Sequence, residues 1–183
     1  MKYFLFFFLC IFFSCNKNVL PKPKAYLALE FPFPKYVLTN EYCRFSFEIN
    51  KISKINNKEN RCLKIINYPK MRAKVYLSHL EVKSNLDSLL NDAYKMPMKH
   101  ISQAIDIHEK VYSNPIENKY GTLFRIVGNS ASQLQFFLTD STSNFLVGSL
   151  YFYTRPNYDS LMPAATYIEK DLIHLMETLK WKN

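Results

Sequence analysis

Three glycines in 183 residues, Gly121, Gly128 and Gly148, cannot spell a G-x-G-x-x-G turn or a P-loop. The usual phosphate-cradling loops are therefore excluded. Gly128 reads instead as a turn residue, and Gly148 as a strand position under close backbone contact. The four histidines, His79, His100, His108 and His174, form no H-E-x-x-H motif, and the cysteines form no C-x-x-C. No metal or cofactor site is expected from them. His108 and Glu109 are adjacent and would point apart on a helix. His174 and Glu177 lie three apart and would share a helix face, as a solvated contact rather than a ligand set.

A serine-nucleophile elbow, G-x-S-x-G, is missing as well. Ser, His and Asp are all present, so counting alone does not exclude a triad. Thr139-Asp140-Ser141-Thr142 resembles a nucleophile site only superficially, because a turn between strands selects the same residues for their local backbone hydrogen bonds. No catalytic residue is assigned, and the chain reads as a protein that is not an enzyme.

Also missing is any apolar run long enough to span a bilayer at the amino end. Tyr3–Phe13 is apolar over eleven residues behind a short Met1-Lys2 start. As a helix it reaches roughly 16 Å, about half the hydrocarbon thickness. That is the length of a secretory signal. Phe12 and Phe13 spoil the small-x-small pattern of ordinary signal peptidase, whereas Ser14-Cys15 supplies the small residue and cysteine of lipoprotein processing. Phe12 stands where that motif usually has Leu, and Cys10, inside the apolar run behind Leu9, is the poorer candidate. Residues 1–14 are therefore expected to be a lipoprotein signal peptide and Cys15 the lipidated residue. Two or three acyl chains on Cys15 would anchor the chain stably, since each buried CH₂ contributes about 0.8 kcal/mol. Residues 15–24 read as lipidated cysteine plus a polar, Pro-containing tether, and residues 25–183 as one globular domain.

Once Cys10 is removed and Cys15 is acylated, Cys43 and Cys62 remain in an oxidising compartment, which suggests a disulfide. A simple hairpin of strands 44–49 and 63–67 would put them at opposite ends, so the pairing stays open. The formal charge is +9, of which Lys2 leaves with the leader. It is carried mostly by Lys, in a chain rich in Asn, Ile, Phe and Tyr and poor in Ala. That is the composition an AT-rich genome encodes, and an exported protein is not expected to meet nucleic acid. No acidic run follows Cys15, which favours a periplasm-facing position.

Tyr26–Phe31, Arg44–Ile49, Leu63–Ile66 and Ala73–Leu77 read as strands, with Asn50–Arg61 a lysine- and asparagine-rich loop. Ser84 or Asn85 can cap a helix with Leu86, Leu89, Leu90 and Ala93 on its apolar face, closed by Pro97. Residues 99–112 start helical and give way to a strand. Thr122–Val127, Gln133–Thr139 and Phe145–Tyr153 form an antiparallel meander through two polar turns. Asp159 can cap a long final helix, with Pro163 tolerated in its first turn. Its buried stripe is Leu161, Ala165, Ile168, Leu172, Leu175, Met176 and Leu179. The fold class is α+β: a single domain, a mostly antiparallel sheet covered by helices, and a long C-terminal helix.

Met98-Lys99-His100-Ile101-Ser102-Gln103-Ala104, Tyr120-Gly121 and Gln135-Phe136-Phe137-Leu138-Thr139-Asp140-Ser141-Thr142 together resemble the gliding-motility lipoprotein D (GldD) family. Gly148-Ser149-Leu150-Tyr151-Phe152, Pro156-Asn157-Tyr158-Asp159-Ser160-Leu161 and Glu177-Thr178-Leu179-Lys180-Trp181-Lys182 continue it, as does Tyr68-Pro69 followed by Val75-Tyr76-Leu77-Ser78. The resemblance covers nearly all of the mature chain and is densest over 96–182. It implies an envelope lipoprotein needed for surface gliding in bacteria whose gliding machinery is tied to a dedicated protein-secretion system. The expected partners are other gliding and secretion proteins, with no small-molecule substrate, and the expected place is the outer membrane, facing the periplasm. The family transfers no catalytic residues. The alternative is an envelope-tethered ligand-binding protein or hydrolase acting on peptidoglycan or lipid, which would need a concave pocket with convergent polar groups.

Overall fold

Alternation along the three runs after Tyr120 sends successive side chains to opposite faces, so a sheet with cover on both faces is required to bury them. The computed structural model describes residues 30–39, 44–57 and 63–182 and has this form. Strands β4 (Lys54–Asn57), β5 (Leu63–Tyr68), β6 (Ala73–Glu81), β7 (Ala104–Asn114), β8 (Lys119–Gly128), β9 (Leu134–Thr139) and β10 (Asn144–Phe152) make a seven-stranded sheet in the order β4-β5-β6-β10-β9-β8-β7. Every pairing in it is antiparallel.

Phe124, Phe137 and Phe145 turn to one face, where helix α1 (Leu86–Met98) packs Ala93 against them, with Leu86, Leu89 and Leu90 alongside. Leu123, Phe136, Leu138, Leu146 and Leu150 turn to the other and meet Ala165, Ile168, Leu172, Leu175 and Met176 of helix α2 (Tyr158–Thr178). Each fully buried Leu or Phe contributes about 1.5–3 kcal/mol, so this double layer is the main source of stability. Gly148 lets the Phe136 ring lie flat on the sheet: a Cβ there would sit 2.0 Å from Phe136 Cε1.

Two small ribbons extend the α2 face. β1 (Tyr36–Leu38) pairs with β3 (Glu48–Asn50), and β2 (Phe45–Ser46) pairs with β11 (Lys180–Trp181). Phe45 and Phe47 are fully buried there, with Phe45 beside His79 and Trp181. Lys64 lies beneath both phenyl rings, 4.9 and 5.6 Å from their centres. Burial, with Lys182 nearby, pushes its ammonium down to about 8.

The antiparallel α+β architecture and the long C-terminal helix are as the sequence implies. Several local expectations differ. The single strand over Arg44–Ile49 is split between two ribbons, because its phenyl rings face inward over the sheet and it never joins the sheet edge. The polar loop Asn50–Arg61 contains β4, a four-residue edge strand whose partner β5 supplies the apolar residues. Positions 26–29 of the first expected strand lie outside the described residues, and Glu30 and Phe31 belong to no strand. The cap of α2 is Asn157, whose Oδ1 accepts the Ser160 N–H at 3.3 Å, in place of Asp159. Pro163 therefore falls in the second turn, inside the helix, where it leaves one helical hydrogen bond unmade. Leu161 is only partly buried.

Candidate functional site

Among the described residues, three polar places stand out. The first is a cleft of about 570 Å³ at one end of the sheet, where the turn after α1, the turn after β8 and the start of α2 meet. Gly128 makes the approach possible: its φ is +125°, and a Cβ would lie 2.5 Å from the Gln103 carbonyl oxygen. Asn129 Oδ1 accepts the Tyr158 N–H at 2.9 Å, tying the β8 turn to the helix start. Ser102, Gln103, Asn129, Asn157 and Asp159 line the cleft, so it offers amide and hydroxyl groups with one carboxylate. Nearby, His100 faces Gln135 at 3.1 Å, and burial followed by the Lys99 charge lowers its pKa, favouring the neutral ring.

The second cleft, about 520 Å³, lies at the opposite end between Glu117, Asn118, Asp140, Thr142 and Leu179–Trp181. Asp140 Oδ1 accepts the N–H groups of Thr142, Ser143 and Asn144 at 2.8–2.9 Å, and Oδ2 accepts Asn144 Nδ2–H at 2.6 Å. Burial alone would raise this carboxyl, but those bonds outweigh it and hold the pKa below the ordinary value. Ser141, at φ +65°, gives its N–H to Thr139 Oγ1. The Thr139–Thr142 segment is thus a turn in which the Thr139 and Asp140 side chains bond the local backbone, as its composition implies. Beside it the buried Lys119 donates to the Glu177 carbonyl at the end of α2 and pairs with Glu117 at 2.6 Å. A cation at a helix C-terminus is favourable there.

The third place is a buried carboxylate that the sequence reading missed. Asp171 is 5% exposed. It accepts from Tyr36 Oη at 2.9 Å, Tyr68 Oη at 3.0 Å and Asn50 Nδ2 at 3.1 Å. Asn50 also donates to Tyr167 Oη, which in turn donates to the Pro32 carbonyl at 2.9 Å. Burial raises the Asp171 pKa more than the tyrosine and asparagine bonds lower it, and burial with the Asp171 contact raises Tyr36 and Tyr68. The signal was available: Asp171 stands three residues after Ile168 and four before Leu175, on the core face of α2. His174, one turn on, stacks on Tyr36 with centres 3.6 Å apart and binds Glu48 at 2.8 Å. The expected His174–Glu177 pairing is corrected by these contacts, because β1 and β3 cover that side of the helix.

The remaining histidines are scattered. His79 bonds Asn144 at 2.9 Å, and His108 lies 3.5 Å from Asp106 on the exposed strand β7. Among the described residues, no histidine is hydrogen-bonded to a Ser, Thr or Cys side chain, and no three His, Cys, Asp or Glu side chains are grouped to hold a metal. No described helix is long and apolar enough to cross a membrane. Cys15, Cys43 and Cys62 lie outside the described residues. The strand geometry that complicated a Cys43–Cys62 disulfide is nevertheless different from a hairpin, since β2 pairs with β11 while β5 pairs with β4 and β6.

Some of the segments that carried the resemblance line the two clefts, while others, such as Gln135–Leu138 and Gly148–Phe152, belong to the sheet. His100–Ala104 and Pro156–Ser160 meet at the first, and Asp140–Thr142 and Leu179–Trp181 meet at the second. No curated protein matches the chain. The model of the gliding motility lipoprotein GldD family matches residues 16–181, both clefts and the Asp171 cluster included, and the chain belongs to that family.

Proposed function

We propose that the chain is a lipid-anchored component of the gliding apparatus and its associated secretion system, acting by protein–protein contact without catalysis. One observation carries the reading: the match to a gliding motility lipoprotein family runs over residues 16–181, and the domain so covered holds two open, polar clefts. Open polar clefts at the two ends of a rigid sheet suit docking of partner segments. The amide, hydroxyl and carboxylate groups give direction to contacts while the sheet holds them fixed.

In this reading residues 1–14 direct export, Cys15 carries the acyl chains, and residues 16–24 let the domain stand off the membrane. The domain faces the periplasm from the outer membrane, and Cys43 and Cys62 form a disulfide that braces the segments before β2 and β5. Affinity purification of the full-length lipidated protein, with mass spectrometry of what accompanies it, tests this. Recovery of other gliding or secretion proteins, reduced by Asn129→Lys in the first cleft, is the expected result. Recovery of peptidoglycan or lipid alone would overturn it in favour of the ligand-binding or hydrolytic alternative.

A further inference from the structure

The two edges of the main sheet are unequal. β4 closes one edge with four residues, Lys54–Asn57. The other edge is β7, eleven residues long, with no strand on its outer side among the described residues. A long strand edge presents a row of backbone N–H and C=O groups to any other extended segment. It also carries apolar side chains into solvent: Ile105 is 85% and Val111 74% exposed.

We infer that β7 pairs antiparallel with β7 of a second copy, about a two-fold axis through His108, joining two sheets into one. The charges select this partner and this register. Residues directly opposite in an antiparallel pair share a face of the sheet, so only registers centred on a residue are consistent with a two-fold axis normal to the sheet. Centred on His108, Asp106 stands opposite the partner's Lys110 and Lys110 opposite the partner's Asp106. Centring on Glu109 instead sets His108 against Lys110 and leaves Asp106 facing Tyr112, while centring on Ile107 sets Asp106 against His108. Opposite charges directly across a strand pair stabilise and like charges destabilise. Of these three registers, only the one centred on His108 sets full opposite charges, Asp106 and Lys110, across the pair on both sides of the axis. The bulge at Ala104–Asp106 bounds the pairing at Asp106, so the paired stretch is Asp106–Lys110. Two copies held at one membrane need little intrinsic affinity to pair, because anchoring raises their effective concentration.

The test uses the full-length chain in membranes. His108→Cys, on the axis, brings two side chains to directly opposed positions about 4.5–5.5 Å apart at Cβ. A short bis-maleimide should then give a cross-linked dimer. Ile116→Cys is as accessible, at 95% exposure, but it lies in the turn just past the end of β7, so its copies would be roughly 40 Å apart across the axis. It should give no more product than wild type, which reports any contribution of Cys43 and Cys62. Adding Lys110→Asp to His108→Cys places like charges opposite twice and should lower the yield about tenfold. Adding Asp106→Lys as well re-creates both opposite pairs and should restore it. Yield from His108→Cys no higher than from Ile116→Cys would overturn the inference. So would indifference to Lys110→Asp, or a failure of the double charge swap to recover the yield in protein with an unchanged melting temperature.

Discussion

Asp171 combines a core position with an ionisable group, and its three donors come from β1, β3 and β5. The carboxylate therefore fastens the first ribbon and the sheet to α2. Because burial raises its folded pKa, the folded chain takes up this proton more readily than the unfolded chain does. Its stabilising contribution is present in full below the ordinary value of 3.8 and is lost as the pH rises through the raised folded value. Comparison with Asp171→Asn isolates this group, since the carboxylates with lowered pKa values, such as Glu81 and Asp140, cancel between the two proteins. The difference in Tm, wild type minus variant, should rise as the pH falls from neutral toward 3.8. Thermal melts followed by circular dichroism check it, and a difference that falls or stays flat contradicts the assignment. Gly148 makes a second residue-scale case. Gly148→Ala forces a methyl into the buried Phe136 ring and should cost about 1–3 kcal/mol, read as a lower urea midpoint with an unchanged m-value.

At the scale of elements, α2 depends on its first turn. Asn157→Ala should lower stability by about 1 kcal/mol, while Asn157→Asp keeps an acceptor for the Ser160 N–H and should cost less than half of that. Urea unfolding separates the two outcomes. The same helix shows what a sequence reveals. Its apolar stripe, like that of α1 and the alternation of β8, β9 and β10, was legible because those patterns are local and repeat. The cap moved from Asp159 to Asn157 because both residues are competent and only the chain's path decides between them. β4 was hidden in an Asn- and Lys-rich stretch, since an edge strand can borrow its apolar partners from Ile65 and Ile66 of β5. β1, β2, β3 and β11 depend on pairings between distant segments such as Phe45 with Trp181, which no local pattern encodes. The clefts were illegible for the same reason: each is assembled from turns far apart in sequence, although every contributing turn carried its own signature.

For the whole molecule, the sheet is covered by a helix on each face, and the β1–β3 ribbon is the first paired element in sequence. Tyr36, Asn50 and Tyr167 secure that ribbon to the core, so tension on an anchor at Cys15 would enter the fold through the Asp171 cluster. The family places the chain in the cell envelope as a membrane-anchored gliding lipoprotein. The proposed role adds partner docking to that description and needs the anchor to hold the domain beside those partners. The most direct measurement is complementation of a deletion strain by wild type or by Cys15→Ala, each confirmed at equal abundance by immunoblot. Colony spreading and secretion are the readouts. Wild type should restore both, whereas Cys15→Ala, folded but released from the membrane by a high-salt wash, should restore neither. Full rescue by Cys15→Ala, or normal spreading and secretion in the deletion strain itself, would contradict a membrane-tethered role in gliding.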